Sequence, residues 1–238
     1  MRDGGEAGDG LFVVFEGIDG AGTTTQCERY AARLRARRRL VHLTREPSTG
    51  PIGSMIRLAL THRLPLPLTH QAQSMALLFA ADRLDHVASE IDPHLRDGYV
   101  VLSDRYDLSS LTYQSTTATD GDGDRMLSWI RELNRYARRP DVTLVLDVSP
   151  DVAAARRRAR GGAAELFDDA EVQARLAAAY RGAEALVPGD RVVHIDGDAA
   201  PDAVEAAIAA ALDALGSGVQ GKDGSALASR LPGERHMR

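Results

Sequence analysis

Five short apolar, β-branched runs punctuate the chain: "LFVVFEG" from Leu11, "LVHLTREP" from Leu40, "YVVLSDR" from Tyr99, "VTLVLDV" from Val142 and "VVHIDG" from Val192. Several are apolar without alternation, the pattern of parallel strands buried on both faces. The stretches between them carry helical spacing. In the first, Cys27, Ala31 and Leu34 fall on one face, with Arg29, Arg33 and Arg37 opposite. Strand–helix alternation predicts an α/β domain built on a parallel sheet. In such sheets the site lies beyond the carboxyl ends of the strands. "EGIDG", "TREP", "SDRYD" and "IDGD" are therefore where the chemistry is expected.

The two ends lack this pattern. Residues 1–10, "MRDGGEAGDG", are polar and glycine-rich, which predicts disorder and does not read as a secretory signal. From Gly216 the chain has little apolar content, so residues 216–238 are expected to form a disordered tail. Residues 11–215 remain as one domain, ample for a core.

Composition narrows the class. With 44% hydrophobic and 26% charged residues the chain reads as a soluble globular protein. A net charge of -5 gives no reason to expect nucleic acid as a partner. No apolar run approaches the ~20 residues of a membrane span. The single cysteine, Cys27, suits a reducing cytoplasm and reads as a small buried hydrophobe. Of the 29 basic side chains 28 are arginine, and the one lysine is Lys222 in the tail.

Candidate chemistry starts at "GIDGAGTT", Gly17 to Thr24, which follows a predicted strand and opens a predicted helix. The pattern G-x-x-x-x-G-K-[ST] describes a loop whose backbone amides cradle phosphate oxygens at a helix N-terminus. Gly17, Ile18, Asp19, Gly20, Ala21, Gly22, Thr23 and Thr24 fill it, except that Thr23 stands where lysine belongs. Thr24 is placed to offer a hydroxyl to Mg²⁺. The bland alternative is a glycine-rich turn capped by Thr23 or Thr24.

"FEGIDGAGTTTQ" resembles the phosphate loop of thymidylate kinases, whose usual form has lysine at the position of Thr23. The similarity continues through "TREP", "LLFAADR", "DRYDLSSLTYQ" and "RPDVTLVLDV", spanning roughly residues 11 to 215. It implies a P-loop kinase fold, a five-stranded parallel sheet flanked by helices on both faces. It also implies ATP and dTMP as substrates, Mg²⁺ with the ATP, and a homodimer.

The resemblance assigns roles that the residue types can fill. Asp19 would accept a hydrogen bond from the 3′-hydroxyl of the acceptor. Asp104 would help position Mg²⁺ together with Thr24. Arg105 offers a planar fork for phosphate oxygens, and Arg45 of "TREP" is a further acceptor-phosphate contact. Phe79 and Arg83, spaced i, i+4, share a helix face and would stack on and donate to the thymine. In isolation a core Phe beside a surface Arg is the commoner case. Ser109, Ser110, Tyr113 and Gln114 would line the pocket around sugar and base, with Tyr113 crowding the 2′ position.

"RRRAR", Arg156 to Arg160, sits where these kinases carry a mobile lid, about residues 156–170. Members without arginine in the phosphate loop tend to draw a catalytic arginine from the lid, and Ala21 occupies that loop position. Glu165 and Leu166 stand near the lid's usual second basic residue. Arg156 and Arg160 therefore join Asp19 and Arg105 as the expected catalytic set. The missing lysine leaves two outcomes open. One is a working kinase whose charge comes from lid arginines. The other is a nucleotide-binding regulator with an impaired loop. A third reading keeps the enzyme but takes another nucleoside monophosphate or a deoxynucleoside as acceptor.

Overall fold

All five apolar runs are strands in the computed structural model, which describes residues 10–66, 70–117, 123–161 and 169–223. They are β1 (Leu11–Glu16), β2 (Val41–Arg45), β3 (Val100–Asp104), β4 (Val142–Asp147) and β5 (Val192–Asp196). The spatial order is β2-β3-β1-β4-β5 and every pair is parallel. Unbroken apolar runs need cover on both faces, and that is where they sit. The inner strands β1, β3 and β4 are buried almost throughout, while the edges β2 and β5 are only half-buried.

Alternate residues of β1 feed two cores on opposite faces. Val13 and Phe15 pack with Leu102 and Leu144; Phe12 and Val14 pack with Val87, Ile91 and Tyr106. Helices cover both faces. α1 (Thr23–Ala36) links β1 to β2. α2 (Pro51–Leu60), α3 (Gln71–His86), a π-helical turn at Val87–Ile91 and α4 (Asp92–Arg96) lead to β3. α5 (Asp107–Thr117) and α6 (Gly123–Leu133) lead to β4. α7 (Pro150–Arg160), α8 (Ala170–Arg181) and α9 (Ala183–Leu186) lead to β5, and α10 (Pro201–Asp223) follows it.

α1 buries Cys27, Ala31 and Leu34 as its spacing requires. Its outer Arg29 pairs with Asp202 and Glu205 of α10, tying the last helix to the first. α10 carries helical backbone to Asp223, past the expected tail boundary at Gly216. Residues 1–9 and 224–238 lie outside the described residues, as do 162–168 of the expected lid, including Glu165 and Leu166. Among the described residues no helix is long and apolar enough to cross a membrane.

Register decides where the site forms. Phe15 and Arg45 both lie level with Asp104, so the ends of β1, β2 and β3 meet at one edge. The loop after β1 and the turn after β3 therefore face each other.

Candidate active site

The chain leaves β1 at Glu16 and turns through Gly17–Gly22 into α1. Gly20 and Gly22 are left-handed, with φ of 87° and 94°, a conformation that costs other residues free energy. Among the described residues no side chain caps α1. The orphan amides of its first turn are thus available to an anion, and the capped-turn alternative fails. A Cβ on Gly20 would come within 2.5 Å of the Ala153 carbonyl oxygen, so α7 packs directly behind the loop.

Two of the cavities at the carboxyl edge share the loop residue Asp19. The first is lined by the loop from Asp19 to Gln26, by Arg105, Arg156 and Arg160, and by Gly197, Ala199, Pro201 and Val204. Arg156 Nη1 donates to the Ala21 carbonyl at 3.3 Å. Arg160 Nη2 reaches both carboxylate oxygens of Asp19, at 3.3 and 3.2 Å. Thr23 lines this cavity but is itself 6% exposed. Ile18 is buried in the core and Gly17 does not line the cavity, so both serve the loop through their backbone.

The second cavity is lined by Asp19, Phe79, Arg105, Ser109, Ser110, Tyr113 and Gln114. Glu46, Pro47, Leu60, Tyr106 and Gln173 complete it. Buried Gln114 keeps its Oε1 without a partner among the described residues. Asp19 and Arg105 line both cavities. A group passing from one to the other would pass these two side chains.

Arg105 has φ of 76°, a left-handed backbone that a non-glycine residue rarely holds. Its Nη1 donates to the Gly17 carbonyl at 2.8 Å and to Ser109 Oγ at 3.2 Å. Its guanidinium lies 5.4 Å from the centre of the Tyr113 ring. Burial works against its charge, but Tyr113, Tyr180, Glu16 and Asp104 together raise its proton affinity well above the ordinary value.

Thr24 Oγ1 donates to Asp104 Oδ2, while Asp104 Oδ1 is buried with no partner among the described residues. A hydroxyl beside a carboxylate with a free oxygen is a donor set suited to a hard divalent cation. Among the described residues no cluster of three or more His, Cys, Asp or Glu could hold a metal by itself. Other ligands would have to come from substrate and water.

Two of the expected site residues lie outside both linings. Arg83 is fully buried and lines neither cavity. It donates to Asn134 and Glu46, both at 2.5 Å, and to the Tyr106 carbonyl and Ser110 Oγ, both at 3.1 Å. Only Nε lacks a partner among the described residues, and it too is buried. The side chain supports the wall of the second cavity rather than facing it. Arg45 is exposed at the end of β2 and lies outside both linings, whereas Glu46 and Pro47, which follow it, line the second cavity.

Three contributors escaped the sequence reading. Arg157 Nη1 donates to the Asp19 carbonyl at 2.6 Å and to Gln173 Oε1 at 3.3 Å, joining α7, the loop and α8. Nothing in "RRRAR" separates it from its neighbours. Tyr180 of α8 reaches Arg105 and Glu16 from far along the chain. Glu16 is fully buried, and burial raises its pKa to about 7 against the opposing pull of Arg105. A lone acid closing an apolar strand was the signal available for it.

Comparison with known proteins agrees with this geometry. The thymidylate kinase family model matches residues 15–208. A probable thymidylate kinase of Pyrobaculum aerophilum is 41% identical over 153 residues, covering 64% of this chain and 72% of the relative. One from Thermococcus gammatolerans is 39% identical over 191 residues, covering 78% and 88%. A thymidylate kinase of Xanthomonas oryzae pv. oryzae is 39% identical over 191 residues, covering 80% and 78%. With a parallel five-stranded sheet, a glycine loop at its carboxyl edge and two cavities meeting there, the chain belongs to the thymidylate kinase family.

Proposed function

We propose that this chain transfers the γ-phosphoryl group of ATP to dTMP, giving dTDP and ADP. The observation that carries the reading is the pair Asp19 and Arg105, shared by the loop cavity and its neighbour. ATP occupies the first cavity with its phosphates on the loop amides. The nucleoside monophosphate occupies the second, its base against Phe79 and its sugar against Tyr113. Arg105 holds the acceptor phosphate and Asp19 accepts from the sugar hydroxyl.

Phosphoryl transfer is mainly positioning and charge stabilisation. Thr24 and Asp104 would hold Mg²⁺, which supplies charge neutralisation on the phosphates. Removing one charged donor from such a site costs ~3–4 kcal/mol, or a few-hundred-fold in rate. Thr23 leaves that donor missing. Among the described residues, the cations lining the loop cavity are Arg105, Arg156 and Arg160. Arg156 and Arg160 supply the charge that lysine gives elsewhere, which favours a working kinase over a silent regulator.

A homodimer is part of this reading. Met55 and Leu58 of α2 and Leu77 and Leu84 of α3 are each more than 40% exposed, and the two helices pack side by side. Apolar side chains on adjacent helices suit a self-complementary two-fold interface. A reducing cytoplasm agrees with the free, buried Cys27, whose thiol burial holds well above its ordinary pKa. ADP release measured with dTMP, dUMP, dCMP, dGMP and thymidine as acceptors tests the function. A clear preference for dTMP is expected. Turnover with another acceptor alone would change the substrate, and binding without turnover would favour the regulator.

A further inference from the structure

Arg105 sits in a left-handed backbone conformation that persists only where its surroundings over-determine it. The surroundings can be traced. Its own N–H donates to the Phe15 carbonyl at 2.9 Å, and its carbonyl accepts from Ser103 Oγ at 2.7 Å. The next peptide is held by Glu16, whose Oε1 accepts the Tyr106 N–H at 2.8 Å and the Ser109 N–H at 3.1 Å. Glu16 Oε2 accepts from Ser109 Oγ at 2.6 Å and Tyr180 Oη at 3.0 Å. Those two hydroxyls are themselves contacts of the Arg105 guanidinium, at 3.2 and 3.4 Å.

One buried carboxylate therefore anchors both ends of the same residue. It fixes the peptide after Arg105 and takes the orphan amide of Ser109 in the first turn of α5, as an acid does at a helix N-terminus. It also orients the two hydroxyls that steady the guanidinium. We propose that Glu16 is the positioning residue for Arg105, holding its fork where the two cavities meet before any phosphate arrives. The inference rests on the reading that Arg105 holds the acceptor phosphate.

The ionised form is the one that accepts from four donors. The charged or titratable groups facing Glu16 are Arg105 after β3, Tyr113 on α5 and Tyr180 on α8, with Asp19 of the loop acting on Tyr113. Arg105 and both tyrosines have their pKa values raised, away from neutral pH. Glu16, raised by burial to about 7, is the member of this group that changes charge there.

The test compares Glu16→Gln, Tyr180→Phe and Arg105→Ala in steady-state kinetics with ATP and dTMP between pH 6 and 9. Glu16→Gln keeps the shape but puts an amide donor where an acceptor is needed. Its kcat/KM for dTMP should fall by about 10–100-fold, as for a misplaced reacting group, with KM for ATP near wild type. The wild-type profile should show a rise through about pH 7 that Glu16→Gln lacks. Both should keep the limb near pH 6 of the substrate's own phosphate. Tyr180→Phe should lose about 2–10-fold in the same direction, the worth of one hydrogen bond. Equal losses for ATP and dTMP with an unchanged profile would overturn the proposal. If Glu16→Gln fails to fold, wild-type kcat/KM in Tyr180→Phe would overturn it instead. If Arg105→Ala leaves dTMP kinetics intact, the role of Arg105 itself is wrong, a different failure from that of Glu16.

Discussion

The two cavities are built on opposite principles. The loop cavity relies on backbone amides and on arginines reaching in from α7, with the Arg160 side chain 64% exposed. The neighbouring cavity is backed by buried side chains bonded to its lining and to one another: Arg83 to Glu46 and Ser110, and Glu16 to Ser109 and Tyr180. Charge delivered by a long flexible arm can come from more than one place. A buried network cannot lose a member so cheaply, because each partner left behind is unpaired in a low dielectric. On the proposed reading, that difference lets the loop cavity draw its charge from α7 with Thr23 at the lysine position, while the second cavity has no such spare arm.

The contrast is broken most severely at Arg83. Arg83→Ala strands the buried Glu46 carboxylate and should cost about 3–5 kcal/mol of stability. Thermal unfolding should show it as a large drop in Tm, with activity toward both substrates lost together. A selective rise in KM for dTMP with an unchanged Tm would mean that Arg83 faces the base after all.

Substitution of the cavity lining should be gentler. Tyr113→Ala opens the wall beside the sugar, so relative use of ribo-TMP should improve by up to about tenfold, the scale of a small steric contact. Tyr113→Phe should change that ratio little. Arg45→Ala, outside both linings, should leave kcat and both KM values within about twofold of wild type, as surface changes do. A tenfold loss in dTMP affinity would put Arg45 back on the acceptor phosphate.

The smallest effect lies at the edge of the sheet. His42 donates to Glu90 at 2.7 Å, and this bond, before other contacts, lowers the Glu90 pKa from 4.5 to about 2. A lowered carboxylate pKa adds stability that is present above the unfolded value and lost as pH falls. The Glu90 share should therefore vanish between pH 4.5 and 2, and Glu90→Gln should flatten that part of the Tm–pH curve. Parallel curves for the two proteins would remove Glu90 from the acid transition.

Much of the fold was legible because its strands are buried on both faces and so read as unbroken apolar runs. The loop was legible because glycine is needed where φ is positive. Arg83 shows where local spacing stops being informative. Spacing at i, i+4 says that Phe79 and Arg83 share a face of α3, but not that Glu46 and Asn134 arrive from distant segments to enclose one of them. Glu16 was overlooked on similar grounds, since its four donors come from the turn after β3, from α5 and from α8, all remote in sequence. Chemistry carried by local pattern shows in a sequence; chemistry completed by tertiary partners does not.

The most direct test of charge relocation from Thr23 to α7 is a double-mutant cycle in kcat. Arg160→Ala, and separately Arg156→Ala, would each be combined with Thr23→Lys. Loss of the responsible arginine should cost ~10²–10³-fold, as for a transition-state donor. Thr23→Lys alone should change little, yet recover part of the lost rate in the arginine-less protein, giving a clear interaction energy between the sites. The contrary result is a Thr23→Lys enzyme about two decades faster than wild type with both arginines neutral, which would make the natural protein a kinase crippled at its loop.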